Sequence, residues 1–115
     1  MTTRNPKGET SVVTQKKTAL KTKKPNLYKV LLHNDDFTTM EFVVAVLQSI
    51  FHHSETDATA IMLHIHQRGI GVAGVYPFQI AEAKVGEVTH AAEKAEFPLL
   101  STLEPDENRE DDDDK

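Results

Sequence analysis

The residues best placed to do chemistry form one run, His33-Asn34-Asp35-Asp36, between an apolar stretch and an amphipathic one. Asn and Asp at such a junction bond to neighbouring backbone groups as turn formers, and that role alone accounts for them. A functional role opens because a later amphipathic segment carries Met62, Ile65 and His66 on adjoining faces. His66 falls one step from the apolar stripe, at the rim of whatever the stripe covers. Asn, Asp and His at the mouth of an apolar hollow make a site for a small cation with an apolar appendage.

Other chemistries fare worse. The chain has six histidines and no cysteine, which excludes a disulfide framework, a thiolate nucleophile and any Cys-based metal site. His64 and His66 stand about 200° apart on a helix and cannot chelate one metal. His52-His53 falls at a helix end and reads as exposed. Ser11, Ser49, Ser54 and Ser101 sit in no nucleophile elbow. Adjacent carboxylates such as Asp35 and Asp36 usually point apart, a poor acid/base pair. Enzyme readings therefore find little support, a small hydrolase using His66 with Asp35 or Asp36 lacking a nucleophile, and no metal or cofactor is expected.

The elements that must position this cluster are legible from periodicity. Leu27–His33 is β-rich and bounded by turn residues, a strand. Thr38 followed by Glu41 is a capping box, and Met40, Val43, Val44, Leu47, Ile50 and Phe51 recur at helical spacing, giving a helix over 39–52. Ser54 caps a second helix with Glu55 and Asp57 in its first turn, an apolar face of Ala58, Ile61, Met62 and Ile65, and Gly69 as a left-handed stop. Ile70–Tyr76 reads as a buried strand whose glycines mark close backbone approaches. Pro77 suits the first turn of a third helix carrying Ile80, Ala81, Lys84, Val85, Val88, Ala91, Ala92 and Ala95. Phe97-Pro98 breaks it, and Leu99–Leu103 is a last strand. The order β-α-α-β-α-β predicts an α+β fold: a single small domain with a three-stranded antiparallel sheet packed against three helices.

The 115 residues, 38% hydrophobic, suffice for one modest core. Charge divides the chain. Residues 1–25 balance at +6, 26–103 at −5 and 104–115 at −6. Both ends lack apolar periodicity, so 1–25 reads as a flexible basic extension, 26–104 as the core and 105–115 as an acidic disordered tail. Asp111–Asp114 followed by Lys115 looks like a protease-recognition or tag scar. No apolar run approaches the roughly 20 residues of a membrane span, and the opening residues lack the apolar region of a secretory signal. A cytoplasmic protein is expected.

The residues resemble a known family. Tyr28–Val43, with its Asn-Asp-Asp-aromatic-Thr-x-Met-Glu-Phe-Val string, is similar to the signature of ClpS, the bacterial N-degron (N-end rule) adaptor. The likeness continues through Ala60–His66, Gly74–Tyr76, Ala81–Val85 and Pro98–Glu104, covering essentially all of 26–104. The resemblance implies a non-enzymatic adaptor that binds proteins bearing N-terminal Leu, Phe, Tyr or Trp. It would deliver them to the ClpA unfoldase of the ClpAP protease and so modulate substrate choice. Nothing in the sequence argues for an obligate dimer, and a monomer is expected. Carried over by position, Asn34, Asp36 and His66 would contact the substrate's α-amino group and first peptide bond. Leu32, Asp35, Thr38, Met40, Val43, Met62, Ile65 and Leu99 would form the side-chain pocket, with Met40 as a gate against β-branched Ile and Val. Gln79, Glu82 and Lys84 would lie on the surface that docks on the N-terminal domain of ClpA, Gln79 standing where well-known members carry an acid. Thr39 and His33 also depart from the family pattern and are expected beside the pocket. In the family the extension before the folded domain engages the unfoldase channel, and residues 1–25 have the length for that.

A competing reading is a nucleic-acid or ribosome-associated module using the Lys-rich extension for phosphate contacts. The outline of the core resembles a domain of the ribosomal stalk protein. Against it, the extension has no aromatic residue to stack on bases and the body behind it is acidic. No nucleic acid and no membrane is therefore expected among the partners.

Overall fold

A computed structural model of the protein describes residues 26–107; the readings made of 1–25 and 108–115 lie outside the described residues. The elements run β1 (Leu27–His33), α1 (Met40–Ser49), α2 (Glu55–Arg68), β2 (Ile70–Pro77), α3 (Phe78–Ala95) and β3 (Leu100–Pro105). The sheet order is β2-β1-β3 and both pairings are antiparallel. The α+β architecture is the one expected. No described helix is long and apolar enough to cross a membrane.

Alternation along the strands decides where the core lies. Val30 and Leu32 of β1 point to the helices, where they join Val43, Val46 and Leu47 of α1, Ala58, Met62 and Ile65 of α2, and Ala81, Val88 and Ala92 of α3 in one buried cluster. Each large side chain so buried contributes about 1.5–3 kcal/mol. Phe51 and Leu99, from the connections, close the cluster. Two of the three buried positions of α3, Ala81 and Ala92, carry only a single methyl group.

Several local expectations are corrected. The capping residue of α1 is Thr39, whose hydroxyl accepts from Phe42 N at 3.1 Å, and not Thr38. Thr38 is drawn instead into the turn made by Asp35, which leaves its neighbour to cap. The helix also stops earlier than 52: the chain reverses through His52 at φ 63°, which turns Phe51 inward and brings His53 N within 3.1 Å of Leu47 O. His52 is exposed, whereas His53 is half-buried and bonded. The register Val30↔Gly74 and Leu31↔Val72 leaves Ala73 as an extra residue in β2. His53 Nε2 lies 2.6 Å from the Ala73 carbonyl oxygen; a carbonyl only accepts, so the ring donates and Nε2 carries the proton.

The second strand is not buried on both sides. Val72 is 40% exposed and Ile70 and Val75 are similar, because the three helices cover one face of the sheet alone. Inward positions are held by Gly71 and Ala73. A Cβ at Gly71 would stand 2.6 Å from Ile65 Cγ1, so glycine is what lets β2 lie against α2. Pro77 is the N-cap of α3 and the last residue of β2, and Ile80 is 48% exposed, off the buried stripe. The third strand begins at Leu100 and extends through Pro105, and Asp106 N donates to Leu27 O at 2.8 Å. The ordered sheet thus reaches past 104, the boundary expected for the core.

Candidate functional site

The polar run leaves β1 and meets the end of α2. Ser54 starts α2 by accepting from Asp57 N at 3.1 Å, and Gly69 ends it at φ 90°, with its N–H donating to Ile65 O. The Gly69 carbonyl then accepts from Asn34 N at 2.9 Å. This one bond ties the start of the polar run to the C-terminal end of α2, where His66 occupies the last turn.

Asp35 builds the loop between them. Its Oδ1 accepts from Phe37 N at 2.8 Å and Thr38 N at 2.7 Å, and its Oδ2 accepts from the Thr38 hydroxyl at 2.7 Å. Burial alone would raise the Asp35 pKa; the hydrogen bonds from the Thr38 hydroxyl and from the two amides outweigh it and hold the carboxyl below the ordinary aspartate value. Asp35 is therefore committed as an anion to its own loop. Asp36, one residue on, is exposed, and its carboxylate makes no hydrogen bond among the described residues, nor do the side chains of Asn34 and His66.

Together these elements enclose a hollow of about 250 Å³. Its apolar wall is Met40 and Val43 of α1 with Met62 and Ile65 of α2; its polar margin is Asn34, Asp35, Asp36, Thr38 and His66. Nine of the residues expected at the site thus line one space. Leu32 and Leu99 do not: they are 0% and 6% exposed within the core cluster and are absent from the lining. His33 and Thr39 are also elsewhere. The His33 ring faces away from the core, with Nε2 2.9 Å from Thr102 Oγ1 across the β1–β3 ladder, and Thr39 is occupied as a cap. His33 stands on the strand face opposite Leu32, so adjacency in sequence to Asn34 does not bring it to the hollow. No group of three or more potential metal-binding side chains exists among the described residues.

The other expected surface lies on α3. Gln79 and Glu82 are exposed, as a docking face requires. Lys84 is half-buried: its ammonium donates to Ile50 O at 2.7 Å, satisfying a carbonyl at the end of α1, and lies 5.7 Å from the centre of the Tyr76 ring. Burial and, second to it, the Glu87 carboxylate raise the Tyr76 phenol above its ordinary pKa. Sequence reasoning missed the structural use of Lys84, for which spacing carries no signal, and also missed a second concavity outside α1 that shares Met40 and Met62 with the hollow.

Comparison with known proteins places this geometry. Residues 23–102 match the family described as ATP-dependent Clp protease adaptor protein ClpS. A ClpS adapter protein of Myxococcus xanthus is 57% identical over 99 residues, covering 86% of this chain and 92% of that protein. One from Caulobacter vibrioides is 54% identical over 96 residues, covering 84% of this chain and 86% of that protein. Among solved structures, Agrobacterium tumefaciens ClpS2 bound to L-phenylalaninamide is similar at a TM-score of 0.70 and 43% identity, covering 72% of this chain and all of that one. With residues 23–102 matched by the family, the chain belongs to the ClpS adaptors of the Clp protease, which are binding proteins and not enzymes.

Proposed function

We propose that the hollow receives the first residue of proteins beginning with Leu, Phe, Tyr or Trp, and that the chain hands them, in the cytoplasm, to the ClpA unfoldase for degradation by ClpAP. The observation that carries this reading is the pairing of three acceptors unengaged among the described residues, on Asn34, Asp36 and His66, with an apolar hollow large enough for one side chain. An N-terminal ammonium brings three donors and a charge, and asks for converging acceptors of which one is anionic. The phenylalaninamide held by the Agrobacterium relative has that ammonium, a large apolar side chain and an amide where the first peptide bond of a protein would lie.

The energetics suffice. Burying a Leu or Phe side chain contributes about 1.5–3 kcal/mol, and each charge-assisted hydrogen bond about 1.5–3 kcal/mol before the cost of association. Micromolar binding needs about 8 kcal/mol. Met40, on the wall, is the gate that crowds a β-branched first residue, and Asp35 and Thr38 shape the margin. Leu32 and Leu99 support the pocket from the core. Gln79 and Glu82 supply the exposed part of the docking face for the N-terminal domain of ClpA, with Lys84 holding that face in place. A protease-adaptor family gives no support to the nucleic-acid alternative.

The test is fluorescence anisotropy with matched peptides beginning Phe, Leu, Trp, Tyr, Ile or Ala, and with N-acetyl-Phe. Binding confined to the large unbranched and aromatic residues, and lost on acetylation, is expected. Equal binding of the acetylated peptide would sink the ammonium assignment.

A further inference from the structure

Along the outside of α1 runs a second concavity of about 340 Å³, lined by Met40, Glu41, Val44, Ala45 and Gln48 of α1 with Met62 of α2. Met40, Val44, Ala45 and Met62 give it an apolar surface; Glu41 and Gln48 are its polar members. Met40 and Met62 also line the hollow, so the two spaces adjoin at these two side chains. Met40 is 43% exposed, so a ligand can reach it from solvent.

We propose that this groove is a subsite for an apolar side chain on the third residue of the polypeptide whose first residue fills the hollow. The inference rests on the recognition reading above and deepens it. With the amine held by Asn34, Asp36 and His66, the first side chain descends between Met40, Val43, Met62 and Ile65. An extended chain advances about 3.3–3.5 Å per residue and turns successive side chains to opposite sides. The third side chain therefore comes down on the same side as the first, about 7 Å further on. The first and third side chains are thus offered two adjoining spaces that share Met40 and Met62. The second side chain points away, into solvent. Two methionines, flexible and polarizable, form a wall that adapts to different side chains on both sides.

The experiment measures anisotropy on the full chain with peptides beginning Phe-Ala-Ala, Phe-Ala-Leu and Phe-Leu-Ala, each followed by the same soluble sequence. Partial burial of the third-residue Leu should tighten binding about five- to tenfold over Phe-Ala-Ala, against twofold or less for Leu at the second residue, on the usual scale of apolar burial. Ala45→Glu places a carboxylate on the apolar surface of the groove and should bring the ratio of Phe-Ala-Leu to Phe-Ala-Ala close to one. Ala45 is exposed on a helix and Glu is a good helix former, so the variant folds; its melting curve verifies this. Equal binding of all three peptides by the unmodified protein overturns the subsite and leaves first-residue recognition standing. A gain at the second residue, or a third-residue gain that survives Ala45→Glu, also overturns it and assigns the groove to a different occupant. Failure of every peptide to bind defeats the recognition reading itself, and the subsite with it.

Discussion

Two neighbouring carboxylates, Asp35 and Asp36, are assigned opposite work, and exchanging each for its amide separates them. In Asp35→Asn the side chain keeps one carbonyl oxygen for the Phe37 and Thr38 amides but loses the charge that strengthens all three loop bonds, now 2.8, 2.7 and 2.7 Å. The difference between a charge-assisted and a neutral hydrogen bond is about 1 kcal/mol. Three of them, weakened by water at a half-buried site, should cost about 1–2 kcal/mol of stability, a fall in Tm of about 5–15 °C for a domain of this size. Asp36→Asn removes a charge that bonds nothing among the described residues, so its stability should change by no more than about 0.5 kcal/mol. Its ligand loses one charge-assisted bond of about 1.5–3 kcal/mol, or roughly ten- to a hundredfold in Kd.

Thermal melting and anisotropy with a Phe-initiated peptide, run on both variants, give four numbers and one expected pattern: Asp35→Asn unstable, Asp36→Asn stable and weak-binding. The pH dependence adds a sign. Because the folded pKa of Asp35 is depressed, its contribution is present above the ordinary aspartate value and is lost as pH falls through the folded value. The stability gap between wild type and Asp35→Asn should therefore narrow below about pH 4. Asp36→Asn destabilising the fold as much as Asp35→Asn, or binding as tightly as wild type, would refute the division of labour.

Three further outcomes follow from single contacts. Gly71→Ala drives a methyl to 2.6 Å from Ile65 Cγ1; overpacking of about 1–3 kcal/mol is expected, together with weaker peptide binding, because Ile65 lines the hollow, and a fully stable variant with normal affinity would refute the close packing. Lys84→Met leaves the Ile50 carbonyl without its donor and should lower stability by about 1–3 kcal/mol in urea titration; an unchanged midpoint would make Lys84 a surface charge only. For Tyr76, burial and then Glu87 raise the pKa, so its contribution is complete below the ordinary tyrosine value and is lost as pH rises through the folded one. Tyr76→Phe should thus flatten the fall in stability above about pH 10, and an unchanged alkaline slope in chemical denaturation would contradict that origin.

How much of this was legible in the sequence depends on how far away each partner lies. The strand before Asn34, the Ser54 cap and the Gly69 stop are set by neighbours within a few residues, and the structure keeps them. The choice between Thr38 and Thr39 as cap is not, because both precede a helical stripe at plausible spacing; the Asp35 carboxylate decides by binding Thr38 first. Strand β2 misleads for a related reason. Its run of Val, Ala and Gly is what a strand covered on both faces would carry, but the three helices cover one side, and there Gly71 is required by α2 and Ala73 is buried in the core while the valines face out. The same geometry limits inference from adjacency at the site. His33 and Asn34 are consecutive, yet the strand alternation sends the His33 ring to Thr102 on the outer face. Asn34 is held toward α2 by the Gly69 carbonyl, 35 residues along the chain. Alternation was readable in advance; the bond that ends it at Asn34 is a tertiary contact, and that contact is what turns a polar run into the rim of a hollow.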